Sequence, residues 1–234
     1  MNPADLYLRL REKEGRIYSD DVVVSLPDVS VDHPLVNEWR ARADSSARLT
    51  RYLMGCSRPL DILELGCGNG WLSHKLSRIS DARVWGLDRG NRELTQATRL
   101  FSGSNLIFLV ADIFRAPFVR RSFDVIVLAS VIQYFPDLHA LIITLRSLLK
   151  LSGEIHLLDS PLYEEYELPA ARERTRAYYA SLGLSEMTEH YFHHLASALD
   201  GFLPRWLYRP DGLRARLAQQ LGKVVSPFPW ISLR

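Results

Sequence analysis

The stretch Asp61–Ser73, DILELGCGNGWLS, runs an apolar segment into three glycines at alternate positions, Gly66, Gly68 and Gly70, and then into Trp71. A strand that enters a glycine-rich turn and then a helix opens many nucleotide-binding folds, so the glycines alone leave the ligand undecided. Outward from this turn, the runs LDILEL (60–65), ARVWGLD (82–88), LIFLVAD (106–112), FDVIVLA (123–129) and GEIHLLD (153–159) alternate with the helix-like segments WLSHKLSRI, NRELTQATRLF and PDLHALIITLRSLLK. Strands that are apolar almost throughout are buried on both faces, which suits a parallel sheet covered by helices. In the last helix-like segment Leu138, Leu141, Ile142, Leu145, Leu148 and Leu149 mark one face, with Pro136 as a start signal.

The expected fold is therefore α/β: a doubly wound, mostly parallel seven-stranded sheet with helices on both faces and an N-terminal helical cap. We divide one domain into a cap or lid (1–57), an α/β core (58–161), and substrate-side helices with C-terminal strands (162–234). The cap contains a charged amphipathic segment, a loop rich in Asp, Pro and Val (22–34) and a helix-like run over 35–54. In the third part, 164–182 and 185–199 read as helices with Gly183 as the stop between them, and the tail reads as two strands enclosing a helix. Pro204, Pro227 and Pro229 confine those last strands to positions that tolerate proline.

Composition bounds the function. With 234 residues, 47% of them hydrophobic, the chain is long enough for one sizeable core. A net charge of +2 supplies no global field toward nucleic acid or anionic membrane, which disfavours a nucleic-acid partner. The charged start, MNPADLYLRLREKEGR, reads as neither signal peptide nor membrane span, and we expect a cytoplasmic protein. Cys56 and Cys67 flank an extended strand, too far apart to bridge, and two cysteines make no zinc framework. The basic run Arg205, Arg209, Arg214, Arg216 and Lys223 reads as a solvated face, with phosphate contact as the competing reading.

The residues around the glycines narrow the ligand. In a dinucleotide fingerprint the third glycine lets the helix pack on the strand, and Trp71 stands at that place. No lysine follows Gly70, so the turn is not a Walker A loop. What remains is E-x-G-x-G-x-G over Glu64–Gly70, and at these residues the chain resembles the class I, Rossmann-like, S-adenosylmethionine-dependent methyltransferases. Glycines let the backbone approach a ligand with positive φ, and Glu64 sets a negative charge near a ligand that carries an ammonium and a sulfonium. The resemblance assigns Glu64, Gly66, Gly68 and Gly70 to S-adenosyl-L-methionine, with Cys67 in the same turn. Asp88 ends the second strand about twenty residues on, where an acid accepts from ribose hydroxyls; its neighbour Arg89 joins the set. Asp112 and Ile113 are implied as partners of the adenine, and Ala129 and Ser130 as contacts of the methionine part. The resemblance covers about residues 60–160.

A methyltransferase must align an acceptor in line with the methyl group and exclude water, with a general base where a proton has to leave. Tyr134, beside Gln133 at the ligand edge of the sheet, and His190 and His193 are the candidate catalytic residues. On a helix, His190 and His193 or His194 would share a face. That spacing also suits a metal pair, but no acid accompanies it at a recognised spacing, so no metal site is expected. His156 reads as a core histidine, and Asp159 and Ser160 as pocket residues at the strand end. Ala129-Ser130-Val131-Ile132 replaces the [DN]-P-P-[YFW] pattern of enzymes that modify amino groups of bases, and no cysteine follows that strand. We expect a small-molecule acceptor, metabolite, lipid-like or sugar-bearing, enclosed by aromatic flanks such as Tyr7, Tyr163, Tyr179, Tyr191 and Phe192, with residues 7–18 as a lid. A non-catalytic cofactor-binding partner subunit of the same fold is the alternative, and a nicotinamide-dependent oxidoreductase a weaker third. Oligomeric state is not legible.

Overall fold

The computed structural model describes residues 3–234, the side chains of residues 3, 4 and 214 excepted, so the Arg214 side chain lies outside the described residues. The strands are β1 (Leu60–Leu65), β2 (Ala82–Asp88), β3 (Leu106–Val110), β4 (Phe123–Ala129), β5 (Leu149–Leu158), β6 (Arg205–Tyr208) and β7 (Trp230–Leu233). They form one seven-stranded sheet in the order β3-β2-β1-β4-β5-β7-β6. Pairings from β3 through β5 are parallel, and β7 runs antiparallel to both β5 and β6. This is the expected doubly wound sheet, closed at one side by an antiparallel hairpin.

The alternation of side chains along each strand builds two apolar layers. Leu63, Leu65, Ile126 and Leu128 face α6 (Leu138–Leu148), whose Leu141, Ile142 and Leu145 are fully buried. Asp137 caps α6, its Oδ1 accepting from the Ala140 N–H at 2.8 Å. On the other face Ile62, Val84, Val125 and Val127 meet Leu49 and Leu53 of α3 (Val36–Met54) and Leu72 and Leu76 of α4 (Trp71–Ser77). A third, smaller cluster joins Leu6 and Leu10 of α1 (Pro3–Lys13) to Tyr179 of α7 (Leu168–Ser181), Leu184 and Met187. It holds α1 over the carboxyl edge of the sheet.

Two expectations are corrected. The stretch read as a loop over 22–34 begins inside a short helix, α2 (Asp20–Ser25), because Val23 is fully buried and Asp20 is held by Gln96 and Arg99 of α5 (Asn91–Leu100). The segment 185–199 is not one α-helix. It is a 3-10 helix over Ser185–His190, an extended stretch whose Leu195 bridges to Tyr163, and a second 3-10 helix over Ala196–Phe202. The extended stretch is fixed by the Phe192 N–H donating to Gln133 O at 2.7 Å and the Tyr163 N–H to His194 O at 3.0 Å, partners far away in sequence that local periodicity does not register.

At the amino end of the sheet, Asp124 accepts from the Asp61 N–H at 2.9 Å, from Lys150 Nζ at 2.7 Å and from Arg58, while Asp61 accepts from Lys150 and Arg83. Burial raises both carboxyls, but the hydrogen bonds from Lys150 and the other donors outweigh it and hold both below the usual range. Folded values below unfolded ones stabilise the protein above the unfolded pKa and lose that contribution as pH falls. We therefore expect stability to drop below about pH 4. Asp124→Ala should cost about 1–3 kcal/mol, chiefly by leaving the buried Asp61 N–H unpaired. Urea unfolding of wild type and variant from neutral to acid pH checks both; an unchanged midpoint in the variant contradicts the assignment.

Candidate functional site

Where β1 ends, Gly66, Gly68 and Gly70 all take left-handed φ, +74°, +51° and +77°. The Gly66 and Cys67 N–H groups both donate to Leu87 O at the end of β2, at 2.7 and 3.2 Å. The next donor, Gly68 N–H, reaches Asp88 Oδ2 at 2.9 Å, and Asp88 Oδ1 accepts from Gly90 N–H at 2.8 Å. Each oxygen of Asp88 has spent one lone pair on the backbone and keeps another for a ligand hydroxyl. Burial raises this carboxyl, and the backbone donors of Gly90 and Gly68 pull against the rise.

Above the turn lies a cavity of about 640 Å³. Of the residues assigned from the sequence, Glu64, Gly66, Cys67, Gly68, Asp88, Arg89, Asp112, Ile113, Ala129 and Ser130 line it, as do Tyr134 and His190. Asp112 Oδ1 accepts from the Phe114 N–H at 3.0 Å, and Arg89 stands 4.0 Å from its other oxygen. Ile113 presents a buried side chain. The Cys67 thiol is pushed well up by burial, so it packs as an apolar group. Trp71 opens α4, lines the cavity and meets Trp39 of α3 edge to face at 5.6 Å.

Other residues lie elsewhere. Gly70 is not on the cavity wall; a Cβ there would stand 2.7–2.8 Å from Phe108 and Ala97, so its glycine serves the packing of the turn against β3 and α5. His193 is also off the main cavity. Without a helix to align it with His190, its ring pairs with Thr175 Oγ1 at 2.9 Å. His194 Nε2 lies 3.0 Å from Ile132 O. Among the described residues no three His, Cys, Asp or Glu side chains converge as a metal site. Asp159 sits behind the wall, its carboxylate accepting from Ser45 and Ser226 at 2.7 and 2.9 Å, and Ser160 Oγ accepts from the Val131 N–H at 3.2 Å. His156 is the core histidine expected, fully buried and accepting from Trp230 Nε1 at 3.1 Å.

The cap contributes wall residues that the sequence reading did not single out. Arg42 of α3 donates to Ser130 Oγ at 3.1 Å and to Glu38 at 3.1 Å, and Arg16 is bidentate on Glu38. Arg11 of α1 stands 3.7 Å from Glu93 of α5, and its Nε is enclosed with no partner. In sequence Arg11 belongs to a helix that looks solvated, and the α1–α7 cluster turns it inward. Gln133, 7% exposed, donates through Nε2 to Ser130 O at 2.8 Å, leaving Oε1 enclosed without a partner on the cavity wall. Tyr134 meets Tyr7 edge to face at 5.3 Å. Burial first, then Tyr7, pushes its phenol well above the ordinary value, so it can donate a hydrogen bond but not act as a base. His190 is the imidazole on this wall.

The methyltransferase domain family model matches residues 57–208. The chain belongs to this family, in agreement with the class I resemblance of its glycine turn. S-Adenosylmethionine is the methyl donor of that class, and the wall offers a fit: hydroxyl acceptors at Asp88, an apolar face at Ile113, and an unpartnered acceptor at Gln133. The chain is 32% identical over 115 residues to the malonyl-[acyl-carrier protein] O-methyltransferase of Acetivibrio thermocellus, covering 46% of this chain and 40% of that protein. It is 26% identical over 160 residues to the 27-O-demethylrifamycin SV methyltransferase of Amycolatopsis mediterranei, covering 63% and 58%. The chain thus spans about half the length of these curated relatives. In fold it resembles the magnesium protoporphyrin IX methyltransferase of Synechocystis PCC 6803, with a TM-score of 0.58 at 16% identity over 97% of this chain and 91% of that one.

Gly70→Ala should lower stability by about 2–4 kcal/mol, from left-handed strain plus overpacking against Phe108. Thermal unfolding reads this directly; a melting temperature equal to wild type would mean the turn relaxes freely.

Proposed function

We propose that the protein transfers the methyl group of S-adenosylmethionine, by in-line displacement, to a small-molecule acceptor of metabolite, lipid-like or sugar-bearing type. The carrying observation is the arrangement of one cavity: the glycine turn, Asp88 and Asp112 on one side, and Tyr134, Met187, His190 and Phe192 on the other. The names of the relatives, acting on malonyl-[acyl-carrier protein], rifamycin and sterols, support an acceptor of this kind rather than a nucleic acid. No helix among the described residues is long and apolar enough to cross a membrane, and two unpaired cysteines suit the reducing cytoplasm.

The cofactor supplies an electrophilic methyl on a sulfonium. This chain's residues bind, orient and keep water out. Asp88 holds the ribose hydroxyls of the nucleoside end, the side-chain-free glycine turn admits the amino acid end, Gln133 Oε1 accepts from a ligand donor, and α1 covers the cavity with Tyr7 and Arg11. His190 takes the proton when the acceptor is a hydroxyl or carbon acid, with Tyr134 donating a hydrogen bond beside it. Transfer of labelled methyl from S-adenosylmethionine to a component of a metabolite extract tests the reading; binding without transfer to any acceptor would favour the silent partner subunit.

Glu64 gives a pH signature. Burial, opposed by the Ser73 hydroxyl, raises its carboxyl to about 8. A cationic ligand favours the carboxylate, so its binding releases a proton, and affinity should rise with pH up to about 8 and then level. Calorimetry with S-adenosylhomocysteine, which keeps the ammonium, should show this rise, and Glu64→Gln should abolish it. Asp88→Ala should weaken binding roughly tenfold or more. Tight NAD binding without response to S-adenosylhomocysteine would overturn the cofactor assignment.

A further inference from the structure

A second cavity, of about 290 Å³, adjoins the first: Pro136 and Phe192 line both. Its remaining wall is cationic and polar. Arg172 and Arg176 enter from one face of α7, four residues apart, opposite Thr188 of the 3-10 helix and His193 of the extended stretch. Like charges at that helical spacing repel each other and cost stability unless something lies between them. Arg172 makes no hydrogen bond or ion pair with any described residue. Arg176 pairs only with Glu173, in a bridge whose side chains are 64% and 65% exposed and which therefore contributes little. Thr188 Oγ1 is enclosed on this wall with no hydrogen-bond partner, although a hydroxyl so placed normally has one. His193 is lowered first by burial and further by Arg172, so the positive charge of the cavity comes from the arginines.

From these groups we infer that the second cavity is the subsite for an oxyanion, a carboxylate or phosphate, carried by the methyl acceptor whose apolar body occupies the main cavity. Two guanidinium groups and an unpaired hydroxyl form a donor set that matches such oxygens, and within the protein only the exposed Glu173 draws on it. Pro136 and Phe192 form the partition past which the acceptor reaches, and the Phe192 N–H is fixed on Gln133 O beside the methyl-transfer wall. The acceptor class is thereby narrowed to amphiphilic acids or phosphorylated metabolites. This inference rests on the reading that the acceptor lies along Tyr134, His190 and Phe192.

The test uses the isotope-labelled full chain with S-adenosylhomocysteine, titrated by NMR with inorganic phosphate and, separately, with acetate. We expect saturable shifts at the Thr188 amide and the His193 ring, with tighter phosphate binding marking a phosphorylated acceptor and tighter acetate binding a carboxylate. The Arg172→Gln/Arg176→Gln double variant, altered only at exposed side chains, should weaken the anion roughly tenfold or more. Thr188→Val should weaken it without lowering the melting temperature. Shifts that do not saturate, or that persist equally in the double variant, overturn the inference. S-Adenosylhomocysteine affinity in the same samples is read separately, so a failure of the cofactor reading shows itself as lost nucleoside binding with the anion response intact.

Discussion

The contact on which the site depends is between the end of β2 and the glycine turn. Leu87 O takes two successive N–H groups, and the Asp88 carboxylate takes those of Gly68 and Gly90. The turn is bound to the neighbouring strand before any ligand arrives. Its left-handed glycines are a consequence, because the chain must reverse within five residues while its N–H groups stay aimed at β2. At Gly66 a Cβ would lie 2.3 Å from Val131 Cγ2, so the start of the segment after β4 also presses on this turn. Strands β1, β2 and β4 thus converge on a few backbone atoms, and the cavity is the space they leave.

That convergence explains how much of the molecule was legible in sequence. The strands β1 to β5 are apolar nearly throughout because both sheet faces are covered, and the same pattern that buries them makes them readable. Glu64, Asp88 and Asp112 were legible because each stands at or just beyond the carboxyl end of a strand, where register fixes position. Gly70 shared the motif but not the wall, since the helix start that it permits is turned toward Phe108. His190 reaches the cavity while His193 does not, because the α-helix expected to align them does not form. Periodicity in 185–199 is satisfied by short 3-10 segments, and what decides between them and an α-helix is a set of hydrogen bonds to Gln133 and Tyr163 from distant parts of the chain. Arg11 and Arg42 carry no local signal either, because a charged amphipathic helix reads the same whether its charges meet water or a cavity.

The electrostatics follow from crowding acids around an enclosed space. Glu64, Asp88 and Glu93 are each raised by burial before any neighbour is considered, and Asp88 raises both of the others. Arg11 relieves part of this at Glu93, and a cationic ligand would relieve the rest. The wall opposite is aromatic, with Tyr7 and Tyr134 in edge-to-face contact and Tyr191 packed edge to face on Tyr134 from outside the cavity. A cation is therefore favoured at the turn and an apolar body beside the tyrosines, which is the division that methyl transfer between a sulfonium and an organic acceptor requires.

The most direct measurement is a crystal structure of the protein grown with S-adenosylhomocysteine. We expect the ribose hydroxyls on Asp88, the adenine against Ile113 near Asp112, the amino acid end over Gly66–Gly68, and the sulfur directed toward Tyr134 and His190. A ligand bound outside this cavity, or one whose adenine lies at the Tyr134 wall, would contradict the placement of both cofactor and acceptor.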